Sequence, residues 1–199
     1  MARPEIVRTA TLIVLDRDGV INRLLDKPAE PRPDSPMRAS EVEIFPWVPA
    51  VLRQLTAAGF GLVIASNQPA AAKGKTTRAE LEAAHAEVLR AATSDGGVIL
   101  SSHLCFHRAE DGCACRKPAT GLLEEAFTRH STFTRAGSWM VGDRAPDILA
   151  GTSFGLQTSY LGDVTSDDYA TLAALGLRTS THGRDLRHFA EFLLGRQSD

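Results

Sequence analysis

Residues 12–22 read Leu12-Ile13-Val14-Leu15-Asp16-Arg17-Asp18-Gly19-Val20-Ile21-Asn22: four consecutive apolar side chains, then two carboxylates and a glycine. An apolar run without alternation is what a strand covered on both faces requires, as in a parallel sheet. It predicts a strand over residues 11–15, with Asp16 to Gly19 just past its carboxyl end. In open α/β sheets that is where ligands bind. Asp16 and Asp18 are two apart, so an extended backbone turns them to one side. Carboxylates that close repel one another unless a cation or a proton is shared between them. One ionised Asp can attack phosphorus while its neighbour protonates the leaving oxygen and later activates water. A strand ending in a solvated acidic turn fits the same residues. Calcium loops also use Asp-x-Asp-Gly, but no further acidic residue follows here until Asp26.

Outward from this stretch, strand and helix patterns alternate. Apolar runs predict strands at Gly61–Ala65, from Val98 to His103 or Leu104, at Trp139–Val141 and at Gly155–Leu161, with a short one near Arg178. Helical patterns fill the intervals: Val48–Ala58, stopped by Gly59; Arg78 to about Thr93, capped by Thr76 or Thr77; and Gly121–His130. Asp147 begins or precedes a further helix towards Gly151, and two more start near Asp168 and Asp185. The alternation predicts an α/β fold, a Rossmann-like doubly wound, mostly parallel sheet, in one domain over residues 1–199. From Asp26 to Arg38 four prolines (Pro28, Pro31, Pro33, Pro36) exclude a regular helix or central strand. This loop either covers the pocket and helps to choose the substrate or is a surface insertion.

Net charge is −2, which excludes the usual basic nucleic-acid surface. No apolar stretch approaches the roughly 20 residues that span a bilayer, and the N-terminus lacks the apolar core of a secretory signal. A cytoplasmic monomer acting on a small phosphate ester, with no nucleic-acid or membrane partner, is expected.

At the other strand ends, Ser66, Asn67 and Gln68 offer a hydroxyl and amides suited to phosphate oxygens, although an ordinary turn fits them too. Asp143 is the natural third ligand for Mg²⁺ beside Asp16 and the Asp18 carbonyl, since Mg²⁺ takes few carboxylates and keeps waters and phosphate oxygens. Asp147 either supports that site or caps its helix. The three cysteines, Cys105, Cys113 and Cys115, fall within eleven residues, with His107 among them. Three sulfurs and one imidazole complete a tetrahedral zinc set that leaves no position for a reactive water, so such a metal is structural. Three free thiols in a loop are the alternative. His103 shares a face with Cys105 but is not needed as a fifth ligand, and reads as a core or surface histidine. Arg116 and Lys117 follow Cys115 directly, so the knuckle anchors two cations beside the carboxyl edge of the sheet.

Together, Asp16-Arg17-Asp18-Gly19-Val20-Ile21-Asn22, Ser66-Asn67-Gln68, Cys115-Arg116-Lys117-Pro118 and Gly142-Asp143 with Asp147 resemble the four motifs of the haloacid dehalogenase superfamily. The Cys-x-His and Cys-x-Cys-Arg-Lys-Pro knuckle is similar to that of one subgroup, whose members dephosphorylate a heptose bisphosphate or histidinol phosphate. The resemblance spans about residues 11–160 and implies a phosphatase fold with a zinc-stabilised loop and no large cap domain. It implies Asp16 as nucleophile, Asp18 as general acid and base, and Ser66 and Lys117 as ligands of the transferring phosphoryl group. Asp16, the Asp18 carbonyl and Asp143 would hold Mg²⁺ with Asp147 in support. Asn67, Gln68, Arg116 and Arg144 would meet substrate. Three departures fall on substrate-facing loops: Gln68-Pro69-Ala70-Ala71-Ala72-Lys73-Gly74, Phe106 in the knuckle, and the Pro-rich loop. They bear on the substrate and leave the chemistry intact. Gly19-Val20-Ile21-Asn22 and Ala72-Lys73-Gly74 favour a heptose bisphosphate, with histidinol phosphate the alternative. A non-catalytic zinc-stabilised interaction module would have no need to keep Asp16, Asp18, Lys117 and Asp143 together.

Overall fold

The computed structural model describes residues 11–26 and 33–195. Thr11–Leu15 forms β1, and its apolar side chains Leu12, Ile13, Val14 and Leu15 are all fully buried. The uninterrupted run has a direct cause, because both faces of the strand are covered. Ile13 and Leu15 pack with α1 (Val48–Ala57), α2 (Arg78–Ala92) and α6 (Leu186–Gly195). Leu12 and Val14 pack with α3 (Gly121–Arg129) and α4 (Ala145–Phe154) on the other side. Burying each such side chain contributes about 1.5–3 kcal/mol.

The remaining strands are β2 (Gly61–Asn67), β3 (Ser101–Cys105), β4 (Thr134–Gly142), β5 (Gln157–Leu161) and β6 (Thr181–Gly183). Their order is β3-β2-β1-β4-β5-β6, with every neighbouring pair parallel. This is a doubly wound α/β sheet, as the alternation of patterns predicts. The strand order reverses between β1 and β4, and such a switch point opens a crevice at the carboxyl edge. A helix α5 (Asp167–Ala174) follows β5 and packs against α4.

Several boundaries differ from the sequence reading, each for a physical reason. β3 starts at Ser101 rather than Val98, because it lies at the sheet edge and pairs with β2 only from Val63 onward. Val98 and Leu100 remain 48% and 40% exposed despite being apolar. β4 begins at Thr134, four residues before its buried run, which starts at Ser138. Its register with β1 is irregular there, and the Ser138 hydroxyl accepts the Leu12 backbone N–H at 3.0 Å in place of a carbonyl. α4 runs through Gly151, which lies against Met140 and Thr158, and ends at Gly155 in the left-handed region. β6 covers Thr181–Gly183 rather than the neighbourhood of Arg178. At α2, Thr77 rather than Thr76 is the cap. Its hydroxyl accepts from Glu80 N at 3.2 Å, and the Glu80 carboxylate accepts from Thr77 N at 3.0 Å.

Within the proline-rich segment, Pro28 and Pro31 lie outside the described residues. Pro33 and Pro36 lie within them, in irregular backbone. Leu25 and Asp34 exchange two backbone hydrogen bonds of 2.8 and 2.9 Å, which bring Asp34 and Ser35 over the crevice. No helix among the described residues is long and apolar enough to cross a membrane.

Candidate active site

A cavity of about 250 Å³ opens at the switch point, lined by residues from the ends of β1, β2 and β4 and from the segment after the cysteine cluster. β1 and β4 are neighbours in register, and Asp16 N donates to Val141 O at 2.8 Å. That pairing sets Asp16 beside Gly142 and Asp143. Ligand atoms of Asp16, Asp143 and Asp147 lie within 4.8 Å of one another. Two glycines make this approach possible. A Cβ on Gly19 would sit 2.1 Å from Asp143 Oδ2, and Gly19 also adopts φ +85°. A Cβ on Gly142 would lie 2.3 Å from Asp147 Cβ. Gly19→Ala is therefore expected to displace Asp143 and to cost about 1–3 kcal/mol of stability through backbone strain alone. Thermal denaturation beside an activity assay checks this, and an unchanged melting point with full activity would refute it.

Lys117 is the hub of the cluster. It is buried, and its Nζ donates to Asp16 Oδ1 at 2.8 Å, Asp147 Oδ1 at 2.6 Å and Ala65 O at 2.6 Å. Burial works against its charge, but Asp147 and Asp16 outweigh it and hold the ammonium above the ordinary lysine range. Burial pushes the Asp147 carboxyl up, Lys117 pulls it back and Asp16 adds to the rise, leaving it at about 6. Asp143 is raised well above the usual carboxylate range by burial and by the charges of Asp16 and Asp147. Its Oδ1 is buried without a hydrogen-bond partner among the described residues. An orphaned buried carboxylate oxygen, converging with two more carboxylates, fits a hard divalent cation of the Mg²⁺ type. Asp147 also accepts the Arg144 N–H at 3.1 Å at the start of α4, so it caps the helix and supports the site together.

Asp18 lies apart from that cluster. Arg17 Nε and Nη2 donate to its Oδ1 at 3.1 and 2.9 Å, and Asn22 Nδ2 donates there at 2.9 Å. Its Oδ2 accepts from Arg17 Nη2 at 3.0 Å and from Gln68 Nε2 at 2.6 Å. Burial alone would raise its pKa, but the Arg17 charge and the hydrogen bonds from Asn22, Arg17 and Gln68 lower it. Gln68, read from the sequence as a substrate ligand, is buried beneath the cavity wall, where its side chain spans Arg17, Asp18 and Ser66. Asn67 lines the cavity, yet its side chain is spent on the Lys117 backbone, donating to its carbonyl at 2.9 Å and accepting from its N–H at 3.1 Å. Ser66 also lines the cavity.

The knuckle closes on itself. The Sγ atoms of Cys105, Cys113 and Cys115 lie 3.2–3.7 Å apart, and His107 Nδ1 is 3.5 Å from Cys105 Sγ and 3.2 Å from Cys115 Sγ. A tetrahedron with Zn–S of ~2.3 Å and Zn–N of ~2.0 Å has edges of roughly 3.5–3.8 Å, so the four donors need to spread by no more than about 0.6 Å to hold such an ion. Cys113 is favoured as the first thiolate. Burial opposes its ionisation, but hydrogen bonds from Cys115 and the Arg116 backbone, with others, bring it to about 7. His103 is not among these donors; it bonds Ser101 Oγ at 2.9 Å and Glu125 at 3.2 Å. Arg116 lines the cavity and donates to His107 O at 3.2 Å. Arg144 lines it too, held by Asp168 at 2.8 Å.

Four features of the site escape sequence reasoning. Arg17 is one, because a residue between two carboxylates on a strand points away from both until its side chain curls back. Asn22 as an Asp18 ligand is another. Asp168 reaches Arg144 from 24 positions away with no signal in spacing. Leu24 in the cavity wall is the fourth, whereas Asp34, Ser35 and Lys73 join that wall from the two loops whose sequence already places them near substrate.

A carboxylate held by a buried lysine, beside a cation-sized carboxylate cluster at a parallel-sheet switch point, suits a hydrolase of phosphate esters. Residues 114–175 match the HAD-hydrolase-like family. The D-glycero-beta-D-manno-heptose-1,7-bisphosphate 7-phosphatase of Bordetella bronchiseptica is 35% identical over 184 residues, covering 92% of this chain and 97% of that protein. A crystal structure of D,D-heptose 1,7-bisphosphate phosphatase from B. bronchiseptica, complexed with magnesium and phosphate, superposes with a TM-score of 0.78 at 34% identity. It covers 94% of this chain and 99% of that one. The histidine biosynthesis bifunctional protein HisB of Legionella pneumophila is 32% identical over 68% of this chain, but over only 37% of its own length. The chain belongs to the HAD-like hydrolase family, in the branch of the heptose bisphosphate phosphatases.

Proposed function

We propose that the chain is a Mg²⁺-dependent phosphomonoesterase that removes the 7-phosphate of D-glycero-D-manno-heptose 1,7-bisphosphate through an aspartyl phosphate on Asp16. The observation that carries the reading is the 2.8 Å pairing of Asp16 with buried Lys117, in a chain matched along 92% of its length by a heptose bisphosphate phosphatase. Asp16 attacks phosphorus and the bond to the sugar oxygen breaks; Asp18, which must first give up a contact to Arg17, Asn22 or Gln68 and take a proton from solvent, passes that proton to the leaving oxygen. Water then attacks the phosphorus of the acyl phosphate and passes a proton to Asp18, which releases inorganic phosphate and restores Asp16. Ser66 and Lys117 hold the phosphoryl oxygens. A Mg²⁺ ion bound by Asp16, the Asp18 carbonyl and Asp143, with Asp147 in support, supplies positive charge against the incoming dianion. Arg116 and Arg144 take the rest of the substrate, Asn67 fixes Lys117, and Gln68 acts through Asp18.

The test is phosphate release from the heptose bisphosphate, histidinol phosphate and a panel of other sugar phosphates. The heptose bisphosphate should give the highest kcat/KM. A higher value for histidinol phosphate would move the assignment to that ester.

Zinc in the Cys105, His107, Cys113, Cys115 knuckle is proposed to place Arg116 without touching the phosphate. Lys117 has its own anchors in Asn67, Asp16 and Asp147. Cys113→Ser should therefore scatter Arg116 more than Lys117, and a cation misplaced by about 1 Å can cost ~10²-fold. The loss should appear mainly in KM, with near-normal circular dichroism. Active wild-type protein free of zinc by elemental analysis would remove the basis for this expectation.

A further inference from the structure

Arg17 has no exposed side-chain surface and does not line the cavity, yet it reaches the residue assigned to proton transfer. A buried guanidinium is costly unless its partners are close and well aligned. Here the alignment is tight on one edge only. Nε and Nη2 fork onto Asp18, and Nη2 also donates to Gln68 Oε1 at 2.8 Å. Gln68 closes the ring by donating from Nε2 to Asp18 Oδ2 at 2.6 Å and to Ser66 Oγ at 3.0 Å. Nη1 has no hydrogen-bond partner among the described residues. A residue kept for packing alone would be better replaced by an apolar one of similar volume.

The ring gives each aspartate its own cation, Lys117 for Asp16 and Arg17 for Asp18. Each Asp18 oxygen accepts from at least two donors in this arrangement. The carboxylate must release one of those contacts to meet a leaving oxygen, and the Arg17 fork fixes the direction in which it does so. Resting on the phosphatase reading above, we propose that Arg17 is a positioning residue that orients Asp18 for proton transfer, with Gln68 as the link between Arg17, Asp18 and Ser66.

A positioning role has a signature that a packing role lacks, because proton donation matters for a sugar alkoxide and little for a good leaving group such as p-nitrophenolate. Arg17→Met keeps an unbranched apolar stem, about as long as arginine to its Nε, and removes the charge and donors. With an alkyl phosphate its kcat should fall about 10²-fold at nearly unchanged KM. With p-nitrophenyl phosphate it should release one equivalent of p-nitrophenolate in a burst, then slow as hydrolysis of the aspartyl phosphate, which also needs Asp18, becomes limiting. Arg17→Lys, with the charge but no fork, should recover only part of the alkyl rate. Equal losses on both substrates without a burst, or no loss on either, would overturn the proposal. Should Arg17→Met fail to fold by circular dichroism, Gln68→Met keeps the Arg17–Asp18 pair and should give the same leaving-group pattern at smaller size. Equal losses there count equally against it. Wild-type protein inactive on every phosphate ester would instead sink the phosphatase reading, whereas active wild type beside leaving-group-independent losses sinks the Arg17 role alone.

Discussion

Asp16→Asn should abolish turnover, by on the order of 10⁴-fold or more, because an amide cannot form the acyl phosphate. The loss should be chemical rather than structural. Asparagine has nearly the shape of aspartate, and its side-chain oxygen still accepts from Lys117. Lys117 also keeps its contacts with Asp147 and Ala65 O. Removing the Asp16 charge takes away one of the repulsions that raise Asp143 and Asp147, so the melting point should not fall. Phosphate release by freshly purified variant measures the first point, and trapping of phosphate on the chain after acid quench measures the nucleophile directly. Wild-type turnover by the variant, or phosphate trapped elsewhere, would make the assignment of Asp16 wrong.

What could be read from the residues alone follows from how far each interaction reaches along the chain. β1, β2 and α2 were legible because their signals are local: continuous apolar runs that need two covered faces, and a threonine cap ahead of a run of helix-forming residues. The gathering of Asp16, Ser66 and Asp143 was legible because parallel strands deliver their ends to one edge, and that of Lys117 because it follows the cysteine knuckle beside that edge. The start of β3 was not. Val98 and Leu100 have the composition of a buried strand but lie about half exposed at the sheet edge. The partners of the two amides were hidden for a related reason. Asn67 and Gln68 have the groups to bind phosphate, but backbone and carboxylate partners 50 residues away in sequence claim them first. Polar side chains at a strand end face two demands, ligand and scaffold, and sequence shows only that the groups are present. Arg17 belongs to the same class: its type suggests a solvated cation, and only the fold reveals it sealed beneath Asp18.

Chelation of magnesium should remove activity entirely while zinc stays bound, and added Mg²⁺ should restore it. The carboxylate cluster gives this expectation a thermodynamic counterpart. Folding raises Asp147 from 3.8 to about 6 and lifts Asp143 well above its ordinary value. For both groups the folded state favours the protonated form, so their contribution to stability is complete below about pH 4; that of Asp147 is lost as pH rises through about 6, and that of Asp143 as pH rises through its own elevated folded value. A divalent cation among the same oxygens replaces the missing protons. The rise in melting temperature on adding Mg²⁺ should therefore be larger near pH 8 than near pH 5, because at the lower pH protons compete for the ligands. Calcium should stabilise the fold and yet inhibit, since its larger and looser shell allows Asp16 to chelate with both oxygens and turns the attacking one away from phosphorus. Differential scanning fluorimetry across pH, run beside phosphate release with each ion, reads both effects on one sample. Full activity in metal-free buffer, or a Mg²⁺ shift that shrinks as pH rises, would dismantle the assignment of Asp16, Asp143 and Asp147 as a cation site.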